Sequence, residues 1–188
     1  MKIKTYAGFN LKELKLLGKG TQGKVYKIND KMCIKVFKSK RACEDEFESL
    51  MMAQTDIHFP KLYYSGEKYI VRECINGIEL NEYLLRHPLT PSISAGIIDI
   101  YEAMMKIGYK RLDSAIFHIF VTSQGNLKLI DTAKALKKKV NCPRLILSGL
   151  KKLGYKKEFL NFVKNTRPDI YGYMKNKRES GDRYAYKR

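Results

Sequence analysis

Gly18-Lys19-Gly20-Thr21-Gln22-Gly23-Lys24-Val25 is followed, ten residues after Val25, by the lysine of Cys33-Ile34-Lys35-Val36. A glycine triplet alone says little. Its surroundings decide what it is. A dinucleotide-binding turn opens a helix straight after its glycines. This chain instead continues as Val25-Tyr26-Lys27-Ile28, turns at Asn29-Asp30-Lys31, and returns as Met32-Cys33-Ile34-Lys35-Val36-Phe37. Alternating apolar and polar residues on both sides of a polar turn predict a hairpin. Glycines at its entrance let backbone N–H groups approach phosphates with no Cβ in the way. Lys35, on the returning strand, is placed to reach the same phosphates.

The rest of the first half extends this sheet. Leu11, Leu14, Leu16 and Leu17 form a lead-in that turns strand-like before Gly18. Residues 40–55 carry Phe47, Leu50 and Met51 at i, i+3 and i+4, which predicts an amphipathic helix. Phe59-Pro60 ends that region, and Lys61–Tyr64 and Tyr69–Arg72 read as two more strands around Ser65-Gly66-Glu67. Beyond Glu73-Cys74-Ile75-Asn76-Gly77, whose Asn-Gly suits a hinge, the character changes. Ile78–Leu85 and Ser92–Ile107 read as helices. Ile119–Val121 and Leu127–Ile130 read as strands about Gln124-Gly125-Asn126, and helices resume from Pro143 to Met174. The expected organisation is a sheet-rich N-lobe at 1–72, a hinge at 73–77, a helical C-lobe at 78–174 and a basic, disordered tail at 175–188.

Composition bounds the partners. The 188 residues can build one domain of two small lobes, and 44% hydrophobic content supplies a core. There is no long apolar run and no signal-like N-terminus, so the expectation is a soluble, cytoplasmic chain without a membrane partner. Cys33, Cys43, Cys74 and Cys142 are scattered without C-x-x-C spacing, which predicts reduced thiols and no zinc site. The 37 basic residues exceed 19 acidic ones, a net charge of +18. That excess suits acidic partners, nucleic acid among them, although a lysine-rich solvated surface explains it equally well. No zinc finger, RNP-type motif or helix-turn-helix accompanies the charge.

The second half adds acids. Lys110-Arg111-Leu112-Asp113-Ser114-Ala115-Ile116-Phe117-His118 places Asp113 five positions before His118, and Leu129-Ile130-Asp131-Thr132-Ala133 ends a strand on Asp131. With the glycine hairpin and Lys35, in this order and spacing over residues 14–136, the chain resembles a minimal protein kinase. It is similar to the short RIO-type, KEOPS-associated and small bacterial Ser/Thr kinases. The resemblance implies an α+β, bilobal fold that binds ATP with Mg²⁺ or Mn²⁺. Gly18, Gly20 and Gly23 would cover the phosphates, and Val25 would pack on the adenine. Backbone groups of Glu73 and Ile75 would hydrogen-bond the base. Lys35 would contact phosphates, held by Glu48 of the helix, with Glu46 as the second choice. Asp113 would orient the attacking hydroxyl and accept its proton. Asp131 and His118 would hold the metal.

Several residues depart from that pattern. His118 stands where the family carries asparagine, and imidazole prefers softer ions than Mg²⁺. Thr132-Ala133 replace Phe-Gly after Asp131, Arg111-Leu112 replace His-Arg, and Arg72 stands before the hinge in place of a bulky apolar residue. The dozen residues from Asp131 to Pro143 are too few for a full activation segment. Singly, each residue has an ordinary reading: glycines make turns, Glu44 to Glu48 can be a wet helix face, and Asp113 can cap a turn. Their joint order points to a small serine/threonine kinase acting on a protein. The alternatives are a pseudokinase or nucleotide-dependent binding module, and a nucleic-acid-associated ATPase. A small-molecule kinase is a weaker fourth.

Overall fold

In the computed structural model, residues 5–175 are described. They divide into two compact units. The first comprises residues up to Ile78 together with Phe120–Lys134; the second comprises Glu79–Ile119 and the chain from Ala135. The architecture is α+β, with a sheet-rich N-terminal region and a helical C-terminal part.

The first unit opens with a two-stranded hairpin, β1 (Thr5–Tyr6) and β2 (Phe9–Asn10). The main sheet contains β3 (Lys15–Lys19), β4 (Gly23–Lys27), β5 (Met32–Phe37), β6 (Leu62–Gly66) and β7 (Tyr69–Glu73). They run antiparallel in the order β3-β4-β5-β7-β6. The β4–β5 turn is fixed by Asn29, whose Oδ1 accepts the N–H groups of Lys31 and Met32, both at 2.9 Å. An asparagine that bonds to the backbone two residues on is a turn-former in its own right. Helix α1 (Lys40–Met52) starts at Ser39, whose hydroxyl accepts the Ala42 N–H at 3.2 Å. It packs on β5, β6 and β7.

The buried face of α1 is not the expected one. Cys43, Glu46, Ser49 and Leu50 are buried, whereas Met51 is exposed. The spacing 43, 46, 50 is i, i+3, i+7, a single helix stripe. The strand β8 (Gly77–Glu79) occupies the start of the segment read as helix from Ile78, so α2 is shortened to Leu80–Leu84. β8 joins β9 (Ile119–Thr122) and β10 (Leu127–Leu129) in the order β10-β9-β8. Gly77, expected at a hinge, lies in strand β8 and packs closely. A Cβ there would lie 2.4 Å from the Val121 carbonyl oxygen. β10 is tied to the main body of this unit by the Leu129 N–H, which donates to the His58 carbonyl at 2.8 Å.

The second unit is helical: α2, α3 (Pro91–Ile107), a 3₁₀ turn (Ile116–His118), α4 (Arg144–Lys152), α5 (Lys156–Thr166) and α6 (Pro168–Lys175). α3 has every sequence signal of a helix. The Thr90 hydroxyl caps it by accepting from Ile93, Pro91 leads it, and Gly108 ends it at φ 86°. Its buried Ile93, Ile97, Ile100, Tyr101 and Met104 form the core with Leu80, Ile146, Leu150 and Phe159. Gly149 lets α4 approach the 3₁₀ turn, since a Cβ would sit 2.5 Å from Ile116. All four cysteines are free thiols. No helix among the described residues is long and apolar enough to cross a membrane. The tail expected to be disordered lies, from residue 176 on, outside the described residues.

Candidate functional site

The strand register of the first unit gathers the charged groups on one sheet face. Lys35 on β5 pairs with Val25 on β4 and with Ile70 on β7, while Cys33 pairs with Arg72. Residues two apart on a strand share a face, so Val25, Cys33, Lys35, Phe37, Ile70 and Arg72 lie together. That is the face α1 covers, because the Lys35 ammonium bonds to the Glu46 carboxylate. The same ammonium lies 5.0 Å from the Phe37 ring centroid.

The partner of Lys35 is therefore Glu46, and Glu48 is exposed. Two residues on a helix differ by about 200° in direction, so Glu46 and Glu48 cannot both face the sheet. Cys43 and Leu50 set the buried stripe, and Glu46 falls on it. The carboxylate is 1% exposed. Burial raises its pKa, while Lys35 and then Arg72 act to lower it, and Asp131 adds to the rise. Arg72 is itself 4% exposed, and among the described residues its Nε has no hydrogen-bond partner, nor has Glu46 Oε1. Two cations and two acids thus share one buried region. Cys33 and Cys43 are no nucleophiles there: burial pushes each thiol up to about 11.

Ser49, which the sequence does not single out, meets Thr132, the residue standing after Asp131 where the family pattern has phenylalanine. The Ser49 hydroxyl donates to Thr132 Oγ1 at 2.8 Å, and both side chains are buried. This bond ties α1 to the residue after Asp131. The signal was present: Ser49 lies three residues beyond Glu46, on the same stripe. Asp131 is half-buried at the end of the β9–β10 hairpin, where its Oδ1 accepts the Ala133 N–H at 3.2 Å.

The glycines divide in duty. A Cβ on Gly23 would lie 2.1 Å from the Val36 carbonyl oxygen, so Gly23 lets β4 and β5 meet. A Cβ on Gly18 or Gly20 would meet nothing within 4 Å. The space beside these two is open, although the Gly20 N–H already donates to the Gly23 carbonyl at 2.9 Å. At the end of β7, the Glu73 N–H donates to the Lys61 carbonyl at 2.8 Å, and the Glu73 carboxylate binds Lys128 at 2.7 Å. The Glu73 N–H is thus already engaged. The Ile75 N–H and C=O make no hydrogen bond among the described residues, which leaves them for a base edge.

In the second unit, Asp113 is 7% exposed. Its Oδ1 accepts the Leu145 N–H at the start of α4 at 2.9 Å, and its Oδ2 lies 3.8 Å from Arg111. Burial pushes its pKa up to about 6, against the opposing pull of the Leu145 N–H and Arg111. It therefore caps a helix and remains a carboxylate that is ionised at neutral pH, with a proton affinity suited to a general base. His118 ends the 3₁₀ turn of this unit, with its ring edge-on to Phe117 at 4.5 Å. Asp131 belongs to the first unit.

No group of three or more metal-ligating side chains occurs among the described residues. That does not disqualify Mg²⁺, which binds through one or two carboxylates and completes its shell from phosphates and water. Asp131 fits such a role.

A known fold accommodates these units. The crystal structure of the kinase domain of PknI from M. tuberculosis is similar, with a TM-score of 0.52 and 19% sequence identity. The match covers 73% of this chain and 62% of that one. No family model and no curated protein sequence matches the chain. The chain has a protein-kinase-like fold.

Proposed function

We propose that the chain is an ATP-dependent phosphotransferase, a small serine/threonine kinase using Mg²⁺ or Mn²⁺. The observation that carries this reading is the buried Lys35–Glu46 pair on the sheet face that follows the open Gly18–Gly20 turn. A lysine held by a buried carboxylate offers a fixed cation to phosphate oxygens. The Gly18 and Gly20 backbone would cover those oxygens, Val25 would pack on the base, and Ile75 would bond its edge. A divalent ion held by Asp131 would neutralise charge on the phosphates. Asp113 orients the acceptor hydroxyl. The hydroxyl oxygen bonds to the γ-phosphorus as that phosphorus parts from the β–γ bridging oxygen. ADP leaves, and the hydroxyl proton passes to Asp113.

Calorimetry tests the nucleotide half. Lys35→Ala removes the cation and strands Glu46, so ATP affinity falls about tenfold or more, the worth of one charge-assisted contact. Equal affinity in parent and variant would remove the assignment. A second reading, a nucleotide-binding module without transfer, is favoured by the hydrogen bond that commits Asp113 Oδ1 to helix α4. Tight ATP binding with no phosphate passed to a serine peptide would select it.

A further inference from the structure

The segments next to Asp113 are rich in basic residues. The segment after Ala135 runs beside the strand-like residues 110–112: the Arg111 N–H donates to the Ala135 carbonyl at 2.9 Å, and Leu112 N–H to Val140 at 2.7 Å. Val140 N–H returns to Lys110 at 2.9 Å. This pairing brings the loop that carries Lys137, Lys138 and Lys139, all exposed, alongside Lys110 and Arg111, which lead into Asp113. Arg144, also exposed, begins α4 one residue before the N–H that Asp113 accepts. Between Asp131 and Glu158 the chain has nine Lys or Arg and no Asp or Glu. Arg111 and Arg144 both act on the Asp113 carboxylate, and the segments next to it carry four further cations, Lys110, Lys137, Lys138 and Lys139.

Two apolar side chains accompany them. Leu145 is 43% exposed beside Arg144, and Phe117 is 48% exposed, with His118 against its ring. Leu145 suits an apolar residue of a peptide, and a serine or threonine side chain is the acceptor that the phosphotransferase reading asks for; Phe117 offers a π face to a base as well, so an oligonucleotide is the necessary comparison. Resting on the phosphotransferase reading, we propose that this surface receives an acidic polypeptide segment, with Asp or Glu on both sides of the serine or threonine presented to Asp113. The cations set the preference by charge complementarity, and the recessed carboxylate requires a slender chain able to reach it.

The test is nucleotide-free binding of the full chain to a labelled peptide with glutamates on both sides of one serine, read by anisotropy. The same peptide with glutamine for glutamate and an oligothymidylate of equal charge are the comparisons. The acidic peptide binds and weakens with salt, while the glutamine peptide does not bind. Lys138→Glu with Arg144→Glu weakens binding by about tenfold or more. The same charge change far off in the sequence, Lys15→Glu with Lys31→Glu, alters it by less than about twofold. Lys138→Gln with Arg144→Gln replaces the first pair if its melting curve shows loss of folding. Equal losses in the two pairs, or equal binding of both peptides, would overturn the proposal. So would tighter binding of the oligothymidylate, which would make nucleic acid the partner. Because the assay holds no ATP, failure of the nucleotide site leaves its result intact. Peptide binding without phosphate transfer would strike the kinase reading alone.

Discussion

A carboxylate as buried as Glu46 is stable as an anion only beside cations, and it has Lys35 in contact and Arg72 near. Breaking a buried pair from one side costs about 3–5 kcal/mol, because the other charge is left without a partner. Glu46→Gln is therefore expected to lower the melting temperature clearly and to weaken ATP binding. Glu48→Gln, on the exposed face, should change stability by no more than about 0.5 kcal/mol. Thermal melts and calorimetry on the two variants check the choice, and equal effects would return Glu48 to consideration. Asp113 has the opposite problem: its folded pKa is raised to about 6. A raised value means that its contribution to stability is full below the unfolded pKa, near about 3.9, and is lost as pH rises through about 6. Asp113→Asn keeps an acceptor oxygen for Leu145 and removes the charge. At about pH 7.5 the variant should be more stable than the parent, on the order of 1–2 kcal/mol after discounting for solvent screening. At about pH 4 the two should converge. Phosphate transfer should nevertheless be lost in the variant, and in the parent it should fall below about pH 6. A variant that melts below the parent at both pH values would show that the cap, not the charge, dominates.

At the scale of elements, the hairpin around Asn29 was legible from sequence because its signals are local: alternation, a polar turn and glycines. Helix α1 was legible as a helix, yet its orientation was not. Phe47, Leu50 and Met51 make a plausible apolar stripe, and only the sheet's preference for Cys43, Glu46 and Ser49 decides against it. With that stripe taken as the buried face, Glu46 ranks behind Glu48 on sequence alone. The duties of the glycines were equally hidden, since nothing in G-x-G-x-x-G says which one is needed by packing. Gly23→Ala would drive a methyl into the Val36 carbonyl. Overpacking of this kind costs about 1–3 kcal/mol, whereas Gly20→Ala meets open space and should be felt in nucleotide affinity before stability. Chemical denaturation of both variants distinguishes the two duties; equal stability losses would refute them. The Ser49–Thr132 bond has its own consequence. Thr132 is the one hydroxyl residue between Asp131 and Pro143, and it is buried in that bond. Treatment with a promiscuous kinase should leave Thr132 unmodified and the rate of transfer unchanged, and a large gain on its phosphorylation would contradict this.

At the scale of the molecule, order along the chain limits what sequence can say. The change in pattern after residue 72 predicts a hinge at 73–77; the first compact unit runs to Ile78 and takes in Phe120–Lys134. Its completion by Phe120–Lys134 could not be read from order along the chain, because it depends on contacts across long separations. Those contacts are specific. Leu129 N–H bonds to His58, Lys128 to Glu73, and Ser49 to Thr132. Beside them, Gly77 packs on Val121. A fragment of residues 1–78 would expose the α1 stripe around Ser49 and leave the Glu73 carboxylate without its lysine. It would keep all five strands of the main sheet and still lack the β9–β10 hairpin beneath its helix. Its fate is therefore a direct measure of how far the sheet is self-sufficient. The expectation is that the fragment shows strand content by circular dichroism but no cooperative melt. Adding residues 120–134 through a flexible linker should restore a transition. If residues 1–78 alone melt cooperatively at the temperature of the full chain, the returning hairpin is an ornament of the first unit.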